Sequence, residues 1–132
     1  KYARQVLLKP ALLDVQSADD RFLQKILTIV ESHIGDASFG VDPFSRDAGM
    51  SSAQLYRKLT SLTGYTPNDF IRHIRLQRAA DLLDRKVGNV AEVAYQVGFN
   101  NLSYFAKCFK TKFKVSPSEF SRHQTQSHGT PL

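Results

Sequence analysis

Ser103, Lys107, Lys110 and Lys114 recur at i, i+4, i+7 and i+11. On an α-helix that spacing gathers them on one face. Phe105, Phe109 and Phe113 recur every four residues on another face of the same segment. The chemistry this permits is noncovalent: ammonium groups and short polar side chains held out by an apolar anchor, ready for a polyanion. A solvated lysine face on an ordinary amphipathic helix is the plain alternative.

The stretch that must position this helix is legible just before it. Val90, Val93, Ala94 and Val97 give a short helix one apolar face. Asn89 and Glu92 have the spacing of a capping box at its start. Gly98 supplies a residue that accepts the left-handed turn. Phe99 is expected under that turn, and Asn100 or Asn101 caps the next helix. Small helix, glycine turn and longer helix together read as a helix-turn-helix, whose second helix enters a DNA major groove.

Composition narrows the partner. The chain has 132 residues and a formal net charge of +6. Residues 1–50 hold 6 Lys+Arg and 7 Asp+Glu, whereas residues 51–132 hold 12 and 5. The cationic excess therefore sits in the second part, which points to a polyanion there. The one cysteine, Cys108, excludes an intrachain disulfide and fits a reducing cytoplasm. No apolar run approaches the ~20 residues that span a bilayer. There is no Gly-rich phosphate loop, no zinc-protease HExxH and no metal spacing among the four histidines. An enzyme is disfavoured, and no cofactor or metal is expected. The absence of Met at position 1 suggests a piece of a longer chain.

In chain order, residues 1–16 read as a connector from an upstream domain, with Val6-Leu7-Leu8 interrupted by Pro10. A helix is expected from Ser17 to about His33, striped by Phe22, Leu23, Ile26, Leu27, Val30 and Ile34. Asp42-Pro43 reads as a cap followed by proline at the first helical position. Ser51 or Ser52 caps a helix in which Leu55, Leu59 and Leu62 face inward, and Gly64 ends it. Thr66-Pro67-Asn68-Asp69 opens a long helix to about Arg85, roughly 30 Å of unbroken rod. Ser116 and Glu119 box a last short helix to about His123, and residues 124–132 are expected to be a disordered tail.

The chain says nearly the same thing twice. Gly49-Met50 lies 49 residues before Gly98-Phe99. Leu55, Leu59, Thr66-Pro67 and Phe70 lie 50 before Phe105, Phe109, Ser116-Pro117 and Phe120. The expected class is therefore all-α: two helix-turn-helix units, at about 41–64 and 89–114, joined by the linker helix 67–85, about seven helices in all. Two such units can read an asymmetric site of ~15–20 bp if they enter successive major grooves about 34 Å apart. A basic helical module that binds RNA or another protein is the competing reading, though it has no need of two glycine-turn units.

These motifs resemble the DNA-binding domain of the AraC/XylS family of bacterial transcription regulators. The likeness covers roughly residues 18–123. Its most specific part is Val93-Ala94-Tyr95-Gln96-Val97-Gly98-Phe99, followed by Ser103-Tyr104-Phe105, Phe109-Lys110 and Ser116-Pro117. Gly49 to Leu59 resembles the family's first unit, and Phe70-Ile71-Arg72 with Arg75-Leu76 resembles the start of its linker helix. Lys114 departs from the glycine usual there, and Phe44-Ser45 from a usual Leu-Ala. The connector and the helix from Ser17 are similar to members serving as the output domain of a two-component protein, either a response regulator or a hybrid sensor kinase.

The resemblance implies duplex DNA as partner, a bacterial cytoplasmic setting, and RNA polymerase as a second partner. It implies base contacts from Ser52, Ala53, Gln54, Tyr56 and Arg57 in the first unit. In the second unit it implies Asn101, Leu102, Ser103, Ala106 and Lys107. Arg57 suits guanine and Gln54 adenine, each by a bidentate pair. Lys58, Lys110 and Lys112 suit phosphates, with Tyr104 against the backbone or at the helix rim. The isolated domain is expected to be monomeric, with any dimerisation of the full chain supplied by the rest of it.

Overall fold

The computed structural model describes residues 17–122. The connector 1–16, the disordered tail expected from 124, and His123 lie outside them. The described residues are all-α. They form α1 (Ala18–Ser32), α2 (Val41–Ala48), α3 (Ser52–Thr63), α4 (Pro67–Asp84), α5 (Val90–Gln96) and α6 (Leu102–Phe113), with a seventh helix, α7, over residues 117–122.

The caps explain most of the boundaries. Ser17 and Asp20 form a reciprocal capping box at the start of α1, as do Ser51 and Gln54 for α3 and Asn89 and Glu92 for α5. Asn101 is the cap of α6, and its side chain accepts from the Tyr104 amide at 2.8 Å. Thr66 accepts from Asp69 N at 3.1 Å, with Pro67 the first residue of α4.

One boundary differs from the sequence expectation. The cap of α2 is Gly40 in extended conformation, not Asp42, and Pro43 falls at the third helical position. Proline is tolerated there because the first amides of a helix have no intrahelical acceptor. The Asp42 side chain is thereby left to accept a hydrogen bond from Ser52 instead. At the end of α4 the left-handed residue after the helix is Lys86 (φ 58), ahead of Gly88.

Two compact units are present, and they are not simply consecutive in sequence. Within the described residues, the first comprises 17–33 and 39–72, the second 34–38 and 73–122. In the first, Leu55 and Leu59 of α3 are fully buried with Phe44 of α2 and Ile26 and Val30 of α1. Phe44 stacks on Phe70 with ring centroids 6.3 Å apart. In the second, Leu76, Ala79, Leu82 and Leu83 of α4 pack with Val93, Ala94 and Val97 around Phe105 and Phe109. Phe99 meets Phe105 edge-on at 5.0 Å, and Phe120 closes the bottom against Phe109 at 5.4 Å. Leu55 and Leu59 thus anchor α3, and Phe105 and Phe109 anchor α6, each in its own core, whereas Leu62 and Phe113 are only partly buried.

Candidate nucleic-acid interface

In the first unit the polar side chains of α3 that the sequence singled out are not equally available. Ser51 accepts from Gln54 N at 3.1 Å, and Gln54 Oε1 accepts from Ser51 N at 3.0 Å. Gln54 therefore spends its carbonyl on the cap, and a bidentate grip on adenine requires that cap to open. Ser52 is tied back too. Its hydroxyl donates to Asp42 Oδ1 at 3.4 Å and lies 3.3 Å from the buried Ser45 hydroxyl, which donates to Asp42 O at 3.0 Å. These bonds fasten the start of α3 to α2. Lys58 is half-buried, with its ammonium 4.5 Å above the Phe22 ring of α1.

Ala53, Tyr56 and Arg57 remain exposed. Arg57 has no partner among the described residues, so its five donors are free to fork onto an acceptor pair. Together with Val41 and Pro67 these residues border an open groove of about 560 Å³. Val41, Ser52 and Pro67 are each the first residue of a helix. The positive ends of three helix dipoles therefore meet at the groove, which favours negative charge there.

In the second unit Asn101, Leu102, Ser103 and Lys107 are exposed on α6, and Ala106 is half-buried. Asn101 uses its carbonyl as the cap and keeps its amide N–H groups for an outside acceptor. Lys107 has no side-chain partner among the described residues. Tyr104 is exposed along one side and lies tilted against Phe99, with ring centroids 6.1 Å apart. Lys110 is exposed and close enough to Glu119 to help hold that carboxyl below its ordinary range. The larger causes there are hydrogen bonds from the backbone and side chain of Ser116. Lys112 is engaged inside the unit, its ammonium 2.7 Å from His73 Nδ1 and 5.7 Å from the Phe113 ring centroid.

The groups that spacing singled out thus divide by availability. Arg57, Lys107 and Lys110 present cationic heads outward, whereas Lys58 and Lys112 fold back onto aromatic or imidazole partners. Helical periodicity puts Arg57, Lys107 and Lys110 on the outer sides of their helices and Lys112, seven residues after Phe105, beside the apolar face; the group that each folded-back head meets is set by the neighbouring helices. Arg75, named in the sequence only for its likeness to the family's linker helix, has its guanidinium against the turn before α6, a placement that no local spacing signals. Among the described residues no three His, Cys, Asp or Glu side chains group as metal ligands, and no helix is long and apolar enough to cross a membrane.

The geometry has counterparts among known proteins. A family model described as a helix-turn-helix domain matches residues 44–123. The chain is 36% identical over 126 residues to a protein named histidine kinase P4 from Formosa agariphila, covering 96% of this chain and 9% of that protein. It is 40% identical over 88 residues to the HTH-type transcriptional regulator MtrA of Neisseria gonorrhoeae, covering 67% of this chain and 29% of the regulator. The chain therefore spans less than a third of either relative. Among solved structures, the C-terminal domain of the two-component response regulator YesN from Fusobacterium nucleatum superposes with a TM-score of 0.67 at 27% identity, covering 73% of this chain and 93% of that domain.

Proposed function

Because this chain belongs to the helix-turn-helix family of AraC-type regulators, we propose that it reads sequence in double-stranded DNA through α3 and α6 and so regulates transcription. The observation that carries the reading is the paired one. Each unit holds a capped helix on a buried apolar anchor, and each presents an unpartnered cation one to two turns in, Arg57 in one and Lys107 in the other. Base edges reward that arrangement, because an exposed, oriented donor near the start of a helix can reach the floor of a major groove.

The proposed roles follow from availability. Ala53, Tyr56 and Arg57 read bases from α3, with Arg57 on guanine. Leu102, Ser103, Ala106 and Lys107 read from α6, where Leu102 and Ala106 suit a thymine methyl. Asn101 and Ser52 hold the helix starts and add a contact where a donor remains. Gln54 reads adenine only at the expense of its cap. Lys110 and Tyr104 grip phosphate. Lys58 and Lys112 reach phosphate only by leaving Phe22 and His73.

The domain is further proposed as the output end of a two-component signalling protein. Similarity to a histidine kinase along 96% of this chain, and to a response-regulator domain in structure, supports that placement. On this reading the fragment has no enzyme activity of its own, works in the cytoplasm as a monomer, and meets RNA polymerase at the promoter.

The test is selection of this fragment against random DNA duplexes at near-physiological salt. The expected outcome is enrichment of two short elements in a fixed spacing. One enriched element would restrict sequence reading to a single unit. Binding without enrichment that vanishes as salt rises would reduce the domain to a nonspecific polyanion binder. Better displacement of a bound duplex by single-stranded RNA than by duplex DNA would replace the reading altogether.

A further inference from the structure

Segment 34–38 leaves the C-terminal end of α1, precedes the first helix-turn-helix, and yet belongs to the second unit. It is a compact turn. The Asp36 carboxylate accepts from Ser38 N at 2.9 Å and from the Ser38 hydroxyl at 2.6 Å. Arg75, one turn into the second unit's part of α4, donates to Asp36 O at 2.7 Å. On the other side of the guanidinium stands the turn between α5 and α6. At Gly98 (φ 97) an added Cβ would fall 2.4 Å from Ile34 O, 2.8 Å from Arg75 Nε and 2.9 Å from Arg75 Cζ. The segment, the arginine and the turn therefore meet with no room for a methyl group between them. Arg75 Nε is buried without a hydrogen-bond partner.

A buried donor left unpaired is costly, and so is a partly buried guanidinium. Burial pushes the Arg75 pKa below its ordinary value, with the Asp36 charge offsetting part of that. A hydrocarbon side chain could fill the same space at less electrostatic cost. What hydrocarbon cannot do is join the Asp36 carbonyl while lying flat beneath a glycine. The planar fork sets both distances at once.

We propose that Arg75 is a positioning residue for DNA reading by α6: it clamps segment 34–38 beneath the Gly98 turn and so fixes the angle at which α6 leaves that turn. The proposal rests on the reading of α6 as a DNA-recognition helix. It adds that a strap of chain preceding the first helix-turn-helix is a working part of the second.

The experiment compares the wild-type fragment with Arg75→Lys and Arg75→Met in the duplex selection, beside amide hydrogen exchange. Lysine keeps the charge and loses the fork; methionine keeps the bulk and loses both. For both variants, enrichment of the element read by α6 should fall at least tenfold, while the element read by α3 keeps its profile. Amide exchange should accelerate at Ser38, Gly98 and Phe99 before it does in the Phe105–Phe109 core. A merely structural role would accelerate exchange throughout the second unit and weaken both elements in proportion to the folded fraction lost, and that result would overturn the proposal. Unchanged enrichment with Arg75→Met would overturn it too. If the wild-type fragment selects no sequence, the DNA reading itself fails. The clamp is then judged by exchange alone, where slow exchange at Gly98 in both variants counts against it.

Discussion

At the residue scale the two kinds of cation make different predictions. Arg57 is exposed and unpartnered among the described residues, so its guanidinium is proposed to meet a base pair of acceptors. Arg57→Ala should cost about 1–3 kcal/mol on a selected site and relax one base preference. A titration against the selected site and its single-base variants measures both, and an unchanged base profile would remove Arg57 from the reading set. Lys110 should instead act on phosphate. Lys110→Ala is expected to weaken all duplexes alike and to reduce the slope of log affinity against log salt by about one; a loss confined to one sequence would contradict that role. Lys112 serves as the control for availability. With its ammonium 2.7 Å from His73 Nδ1, its removal should change the salt slope by less than that of Lys110.

At the element scale the caps carry the predictions. Gly64 ends α3 at φ 81, and Lys114 ends α6 at φ 71, 50 residues later. A side chain in that left-handed region costs on the order of 1 kcal/mol, which glycine avoids. Lys114→Gly should therefore stabilise the domain by about 1 kcal/mol in chemical denaturation, and a neutral or destabilising result would mean that the lysine side chain offsets its own strain.

The Ser116–Glu119 box at the start of α7 adds a pH dependence. Hydrogen bonds from Ser116, with Lys110 and Arg122 nearby, hold the folded-state pKa of Glu119 below the ordinary carboxylate range. Its contribution is fully present above that range and is lost as pH falls through the lower folded-state value. Acidification should loosen α7 first. Amide exchange at Ser116 and Glu119, measured down through the carboxylate range, follows it, and no such change would be expected in Glu119→Gln.

At the scale of the whole molecule the two cores are separate sets of side chains, even though α4 contributes to both. Phe105 is fully buried within the second unit. Phe105→Ala should cost about 3–5 kcal/mol. The loss of exchange protection should fall on residues 34–38 and 73–122, with 39–66 spared. Equal loss in both units would show that they unfold as one cooperative body.

The sequence by itself determined the helices, most of their caps and the doubled layout, because each is a local property. A four-residue recurrence of phenylalanine, a serine three residues before a glutamine and a glycine at a turn act through neighbours along the chain. Even the occupancy of Gln54 is local, since the capping box that takes its carbonyl spans Ser51 to Gln54. One local reading misplaced a cap. Asp42-Pro43 has the form of a helix start, and the helix begins earlier because Gly40 adopts the extended conformation a cap requires.

What needed the packed molecule was the partner that each folded-back cation meets and which chain segments share a core. Lys58 meets Phe22 from 36 residues away, and Lys112 meets His73 from 39. Segment 34–38 joins α4, α5 and α6 across more than half the first unit's sequence. Periodicity cannot reveal such pairings: it assigns a residue to a face of its own helix, and the partner on that face is set by how helices distant in sequence pack.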